Sequence, residues 1–203
     1  MDQSRNINEK LIEIAKGITP KIRYLKKLLI EGADINFQTL DNSYTALMFV
    51  VKCQNDRIAE YLLRQGADPL IRNHENKIAS ALISPDNTIY PVLKDFELLT
   101  AVFNDDLLTT EAVITAGALV NFKSNDGYTA LMIAVEKNYE EMVEFLLLQG
   151  ADPTITLPKG HGIFDLTKNP SIHQLLEDAI SWSQESRLIP EKKLHGFFQR
   201  AGN

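Results

Sequence analysis

Cysteine is nearly absent from this 203-residue chain, with Cys53 alone. A single thiol cannot form an internal disulfide, so the fold does not call for an oxidising compartment, and no Cys-x-x-Cys pair is available for a zinc or redox site. The four histidines, His74, His161, His173 and His195, contain no His-x-x-x-His pair, so the usual ligand spacing of a dedicated metal site is missing. No apolar run nears the roughly 20 residues that span a bilayer. The polar start Met1-Asp2-Gln3-Ser4-Arg5-Asn6 lacks the apolar core of a secretory signal. Positive charge is also in deficit. The chain has 21 Lys and Arg against 27 Asp and Glu, a formal net charge of -6. That balance favours solubility and argues against general affinity for nucleic acid or an anionic membrane. The expectation is a soluble, cytoplasmic, monomeric protein.

What the chain does contain is repetition. Gly-Ala pairs stand at Gly32-Ala33, Gly66-Ala67, Gly117-Ala118 and Gly150-Ala151, and three continue with Asp34, Asp68 and Asp152. The glycines are spaced by 34, 51 and 33 residues, and two of these intervals fit a period near 33. Each pair follows an apolar helical run, Leu28-Leu29, Leu62-Leu63, Val113-Ile114 or Leu146-Leu147. Glycine ends such a helix well because it adopts the left-handed conformation without a side-chain clash. Upstream lie Tyr44-Thr45-Ala46-Leu47-Met48 and Tyr128-Thr129-Ala130-Leu131-Met132, whose threonines precede the matching glycines by the same 21 residues. There threonine can cap a new helix.

The order Thr-Ala-Leu-Met, two short helices, Leu-Leu-x-x-Gly-Ala-Asp resembles the ankyrin repeat. The resemblance runs from about Glu9 to Ala179 and is strongest at Asp41–Pro69 and Asn125–Pro153. It implies an all-α solenoid of about six stacked helix pairs with short β-hairpin-like fingers, the first, third, fourth and last repeats being degenerate. Ala46 and Ala130 replace the family's usual proline, Met48 and Met132 its usual histidine, and Gln54 stands where glycine is common. The Thr-Ala-Leu-Met wording is closest to bacterial members, which adds delivery into a host cell as an expectation.

Tyr44–Ile71 also aligns with Tyr128–Ile155 at a shift of 84, with 15 identities in 28 positions. This points to two three-repeat halves, 9–95 and 96–179, flanked by a flexible 1–8 and a C-terminal segment 180–203. The 51-residue interval predicts four short helices, Ile78–Ile83, Thr88–Asp95, Glu97–Asn104 and Leu107–Thr115. Pro91 keeps the second of them short, and the seam falls near Ile89 to Phe96. Lys192, Lys193, His195 and Arg200 interleave with Leu194, Phe197 and Phe198. Segment 190–201 is therefore either a cap over the last repeat, which solenoids require, or a weak candidate for a membrane or targeting tail.

No chemistry is written locally. Lys159-Gly160-His161-Gly162 lacks the phosphate-loop spacing and its Gly-Lys-Ser/Thr ending. Asp105-Asp106 and Glu140-Glu141 sit at predicted helix starts, where carboxylates suit the helix dipole. No catalytic residue, cofactor or metal is expected. The resemblance instead implies a protein partner, contacted by finger tips and inner helices. The corresponding positions are Asp41, Asn42 and Tyr44; His74, Glu75 and Lys77; Asn125, Asp126 and Tyr128; Lys159 and His161 in the last finger; and Lys52 with Cys53, and Glu136 with Lys137, on the inner helices. Tyr44 and Tyr128 either contact the partner or cover the neighbouring finger. The two functional expectations are a partner-binding module and a regulatory or inhibitory subunit of an enzyme.

Overall fold

Helix starts and stops in this chain are set by short-range hydrogen bonds. The computed structural model describes residues 3–17, 22–158 and 160–186. Thr45 and Thr129 cap α3 (Ala46–Lys52) and α7 (Ala130–Lys137), each hydroxyl accepting the N–H three residues on at 3.3 Å. Asn55 does the same for α4 (Asp56–Arg64), as does Asp106 for α6 (Leu107–Thr115). Three turns between paired helices use a left-handed residue: Gln54, Asp105 and Asn138, with φ of 54°, 57° and 59°. Asn and Asp tolerate this conformation; a glutamine there is strained, as its departure from the family pattern suggests.

The remaining helices are α1 (Gln3–Lys16), α2 (Ile22–Ile30), α5 (Tyr90–Phe103), α8 (Glu140–Leu148) and α9 (Pro170–Ser186), with 3-10 turns at Ala79–Leu82 and Ile163–Leu166. The shift of 84 recurs in the elements themselves: α4 maps onto α8, and one 3-10 turn onto the other, at both ends. Two rows stack. An inner row runs through α1, α3 and Ala79–Leu82 and continues through α5, α7 and Ile163–Leu166, while the other helix of each pair packs behind. Among the described residues there is no strand. The fingers are nonetheless closed hairpin-fashion by one recurring backbone bond: Thr39 to Tyr44, Asn73 to Lys77, Ser124 to Tyr128 and Leu157 to His161.

A second recurring bond ties each repeat to the next. The N–H of the residue after each Gly-Ala pair is given to a side-chain oxygen 24 to 32 residues earlier in the chain. Asp34 donates to Asn8, Asp68 to Asn36 and Asp152 to Asn121, all at 2.8 Å, and Leu119 donates to Asp95 at 2.7 Å. Asp34, Asp68 and Asp152 then turn their own carboxylates onto the N–H two residues on. The aspartate of Gly-Ala-Asp thus shapes the local turn, while its backbone joins the stack.

Three expectations change. Helix α1 begins at Gln3, so residues 3–8 are helical, and Asn8 is the first of the stacking acceptors. In the long interval the two predicted middle helices are one: α5 runs through residues 95–97 without a break. Pro91 does not shorten it but sits in its first turn, where the missing N–H costs nothing. No glycine or proline interrupts the next twelve residues. One end of α5 therefore serves the third repeat and the other the fourth, with no room for a finger between them. Helix α9 passes residue 179 without interruption. Segment 190–201, the expected cap or tail, lies outside the described residues.

The buried side chains fall into two clusters, Leu11 to Phe96 and Leu98 to Leu176, that meet on α5. Phe122 packs against both, its ring centroid 5.2 Å from that of Phe96. In the two strongest repeats Leu47, Val50, Leu62, Leu63, Leu131, Ala134 and Leu146 are all buried; Leu147 is half-buried. The middle of α5 is polar as well as buried. Lys94 meets Glu97 at 2.7 Å and Ser80 at 3.1 Å, and the second carboxylate oxygen of Glu97 has no partner. Such a pair favours one arrangement more than it stabilises.

Two outcomes test this packing. Leu146→Ala should lower the unfolding free energy by about 2–5 kcal/mol, read from denaturant melts; an unchanged profile would remove Leu146 from the core. Asp95 is the only carboxylate among the four stacking acceptors, and burial pushes its pKa up against the opposing bond from Leu119. Its charged form is thus disfavoured in the fold. That cost applies above the raised folded-state value and is relieved as pH falls towards the ordinary carboxylate range. Asp95→Asn should therefore be at least as stable as wild type near neutral pH and should lose this rise on acidification. Paired melts across the carboxylate range check it.

Candidate partner-binding face

Inner helices and fingers meet on one face, and the first half builds a continuous patch there. Tyr44, closing its finger, is buried at 7% exposure, so its ring is wall rather than tip. It lies 5.2 Å from the ring of Phe49. The ammonium of Lys52 stands 5.2 Å over Tyr44, and that of Lys16 stands 4.6 Å over Phe49. The four side chains form a stack, cation–ring–ring–cation. Around it, Lys77 bridges Glu75 at 2.8 Å. This bond holds Glu75 below the usual carboxylate range and raises Lys77; the charge of Lys52 acts on Glu75 more weakly. Asp41 is lowered too, first by the Thr39 hydroxyl and last by the charge of Lys16. Asn42 accepts the N–H bonds of His74 and Tyr44 and so fastens one finger to the next, while His74 stays exposed.

The second half carries the same scaffold with different side chains. Tyr128 is half-buried, and its pKa is raised first by burial and then by Glu136 and Asp126, Glu136 also bonding its side chain. Lys137 stands 4.3 Å over the ring of Phe103, which is 54% exposed. His161 lies 3.9 Å from Asp165, both exposed. Lys159 lies outside the described residues. Asn125 is used internally: it accepts from the Arg64 guanidinium at 2.6 Å and donates to the Arg64 carbonyl at 2.8 Å. A fingertip of the second half is thus fastened to the end of α4 in the first, and Asn125 belongs to the joint between them. Gly127 beside it has φ of 85°, and a Cβ there would come within 2.7 Å of Pro158, so this finger also lies tight against the next.

The structure therefore brings Lys52, Tyr44, Glu75 and Lys77 together in one patch and Tyr128, Glu136 and Asp126 in another. It adds Lys16, Phe49 and Phe103, which the sequence reading missed. Phe103 occupies the place in its helix that Lys52 and Glu136 occupy in theirs, two residues before the left-handed Asp105, Gln54 and Asn138. That count back from the turn was the available signal, but repeat four has no Thr-Ala-Leu block to set the register. Lys16 was hidden in the degenerate first repeat.

Among the described residues no group of three or more His, Cys, Asp or Glu is placed to hold a metal. Asp106 caps α6 by accepting from Thr109, and Glu140 accepts from Asn169 at 2.7 Å. Among these residues no helix is long and apolar enough to cross a membrane.

Stacked helix pairs, recurrent fingers and a shared inner face define a repeat protein built to present a surface. The model for Ankyrin repeats (3 copies) matches residues 15–156. The chain belongs to the ankyrin-repeat family, whose repeats generally mediate protein–protein interaction. It is 33% identical to Protein glp-1 of Caenorhabditis elegans over 138 residues, 66% of this chain and 9% of that protein. It is 31% identical to Putative ankyrin repeat protein FPV031 of Fowlpox virus over 147 residues, 71% of this chain and 37% of that protein. To the Mitochondrial disaggregase of Bos taurus it is 28% identical over 177 residues, 87% of this chain and 24% of that protein. The chain thus spans well under half the length of these relatives.

Glu136→Gln should lower the Tyr128 pKa towards the ordinary tyrosine value, because a carboxylate that opposes phenolate formation is removed. Difference titration of phenolate absorbance between each background and its Tyr128→Phe counterpart isolates this group. No movement would mean that Glu136 does not act on it.

Proposed function

We propose that the chain is a protein-binding module that holds a partner against its inner helices and fingers, a face that is concave in this family. One observation carries the reading: exposed charged and aromatic side chains gather on that face, with Lys16, Lys52, Phe103, Glu136 and Lys137 at the ends of successive inner helices. Aromatic residues are enriched at interface centres, and polar and charged side chains form the rim around them. Delivery into a host cell, as a bacterial effector, rests on the Thr-Ala-Leu-Met wording alone, and the relatives named above come from a nematode, a poxvirus and cattle.

A second reading, a subunit that positions or blocks an enzyme, draws on one finding. The chain aligns with about a quarter of a relative named as a disaggregase, so an array of this kind occurs within a larger protein of that name. Crosslinking in the native cell followed by mass spectrometry separates the readings. Wild type and Glu111→Lys, on the exposed side of α6, should capture the same protein, and a Lys52→Glu/Phe103→Ser variant should lose it. Capture unaffected by the double variant would rule out this face. An enzyme whose turnover changes on adding the purified chain would favour the second reading.

A further inference from the structure

We propose that the Lys16–Phe49–Tyr44–Lys52 stack is the receptor for an acidic segment, bearing two or more Asp or Glu side chains, of the partner protein. The proposal rests on the protein-binding reading above and specifies which chemistry the first half recognises.

The geometry supplies two cations in prepared positions. Each ammonium is held over a ring, the two rings touch each other, and both lysines are exposed. Among the described residues neither lysine has a carboxylate within ion-pairing distance. Of the nearby acids, Glu75 is engaged by Lys77 at 2.8 Å, and Asp41 makes no ion pair with Lys16. Packing the lysine stems on aromatic faces removes much of the side-chain freedom that a surface salt bridge would otherwise lose on binding.

Folding alone does not dictate the sign of this patch. Lys16 and Lys52 end their helices, where the dipole favours a cation. At the shift of 84, however, position 52 becomes Glu136, an anion in the last turn of α7, where the dipole disfavours it. The scaffold accepts either charge at this place, so the choice is left to what the face touches. The half-buried Phe49 also gives the patch an apolar edge for a neutral residue between two carboxylates.

A protein segment fits better than the other polyanions. The chain carries a net charge of -6, and Asp41 and Glu75 flank the stack. A phosphate backbone or a charged lipid surface presents anions everywhere and meets these acids as well as the lysines. A peptide can place its carboxylates only where the ammonium groups are.

The test selects from a random peptide library displayed on phage, with the full chain as bait, and then titrates the selected peptides by fluorescence anisotropy. The expected result is enrichment of sequences with at least two Asp or Glu. Their affinity should fall about tenfold or more in Lys16→Glu/Lys52→Glu, fall similarly when the peptide carboxylates become amides, weaken with added salt, and persist in Lys26→Glu, a charge reversal on the exposed side of α2. Lys16→Gln/Lys52→Gln keeps the side-chain length, removes the charge and guards against a folding defect, which circular dichroism would also report. Selected peptides that are neutral or basic, or acidic peptides indifferent to both lysine pairs, would overturn the proposal. So would tighter binding at these lysines by a single-stranded oligonucleotide or by phosphatidylserine vesicles. If non-acidic peptides bind and still compete with the crosslinked partner, only the acidic chemistry fails. If the crosslinked partner is also indifferent to the face variants, the protein-binding reading falls with it.

Discussion

The backbone N–H that follows each Gly-Ala pair is the constraint on which the stack depends. The Gly and Ala N–H groups close onto the last carbonyls of the helix before them, and this next N–H, left outside the helix, goes to a side chain 24 to 32 residues earlier in the chain. Hydrophobic burial alone would let two helix pairs slide along each other, because apolar contact is not directional. The hydrogen bond removes that freedom. Once the register is set, the inner helices align, the fingers fall side by side, and a row of helix-end side chains shares one face. The face is thus a consequence of a bond made on the far side of the turn.

That same bond explains how α5 can replace a finger without breaking the array. Asp95 lies within the helix and still provides the acceptor for Leu119, so the stacking link is kept although the connection has changed. The cost appears as buried polarity: Lys94, Asp95 and Glu97 are all buried in one turn. Their presence tolerates only a narrow set of arrangements between the halves, since an uncompensated charge in the interior is expensive. Phe96 against Phe122 and Arg64 against Asn125 then bridge the halves from outside that polar turn. The joint is a specified contact and not a slack linker.

Much of this was legible in the chain. Threonine before Ala-Leu-Met is a capping signal and marked the starts of α3 and α7, and Asp105-Asp106 stood at the predicted start of α6. The Gly-Ala pairs marked the turns. The fused α5 was not legible, because a shortened repeat offers the same apolar run whether it is one helix or two; only the later packing of α7 against its second half decides. The site was read in part for a related reason. Finger positions could be counted from the motif, but whether a side chain is tip or wall depends on the neighbouring repeat. Tyr44 is buried because Phe49 and Lys52 close over it, and Asn125 is drawn to a carbonyl 61 residues away in sequence. Neither contact has a local signature.

The two halves also show how such a scaffold acquires separate surfaces. A residue such as Leu62 or Leu146 is fixed by packing on all sides, and both copies keep leucine there. The places that differ between the copies are of another kind. Phe49 answers to Ile133, Lys52 to Glu136 and Cys53 to Lys137, all in the exposed or half-buried last turns of inner helices. Tyrosine remains in both fingers, yet its neighbour is a cation in one half and an anion in the other. A stack whose two matching segments share a spine and carry opposite charge beside one retained ring has two faces of unlike chemistry on one frame. On the protein-binding reading proposed above, binding energy is divided between them, each half reading a different part of one partner, and the joint at α5 sets the distance at which those parts must lie.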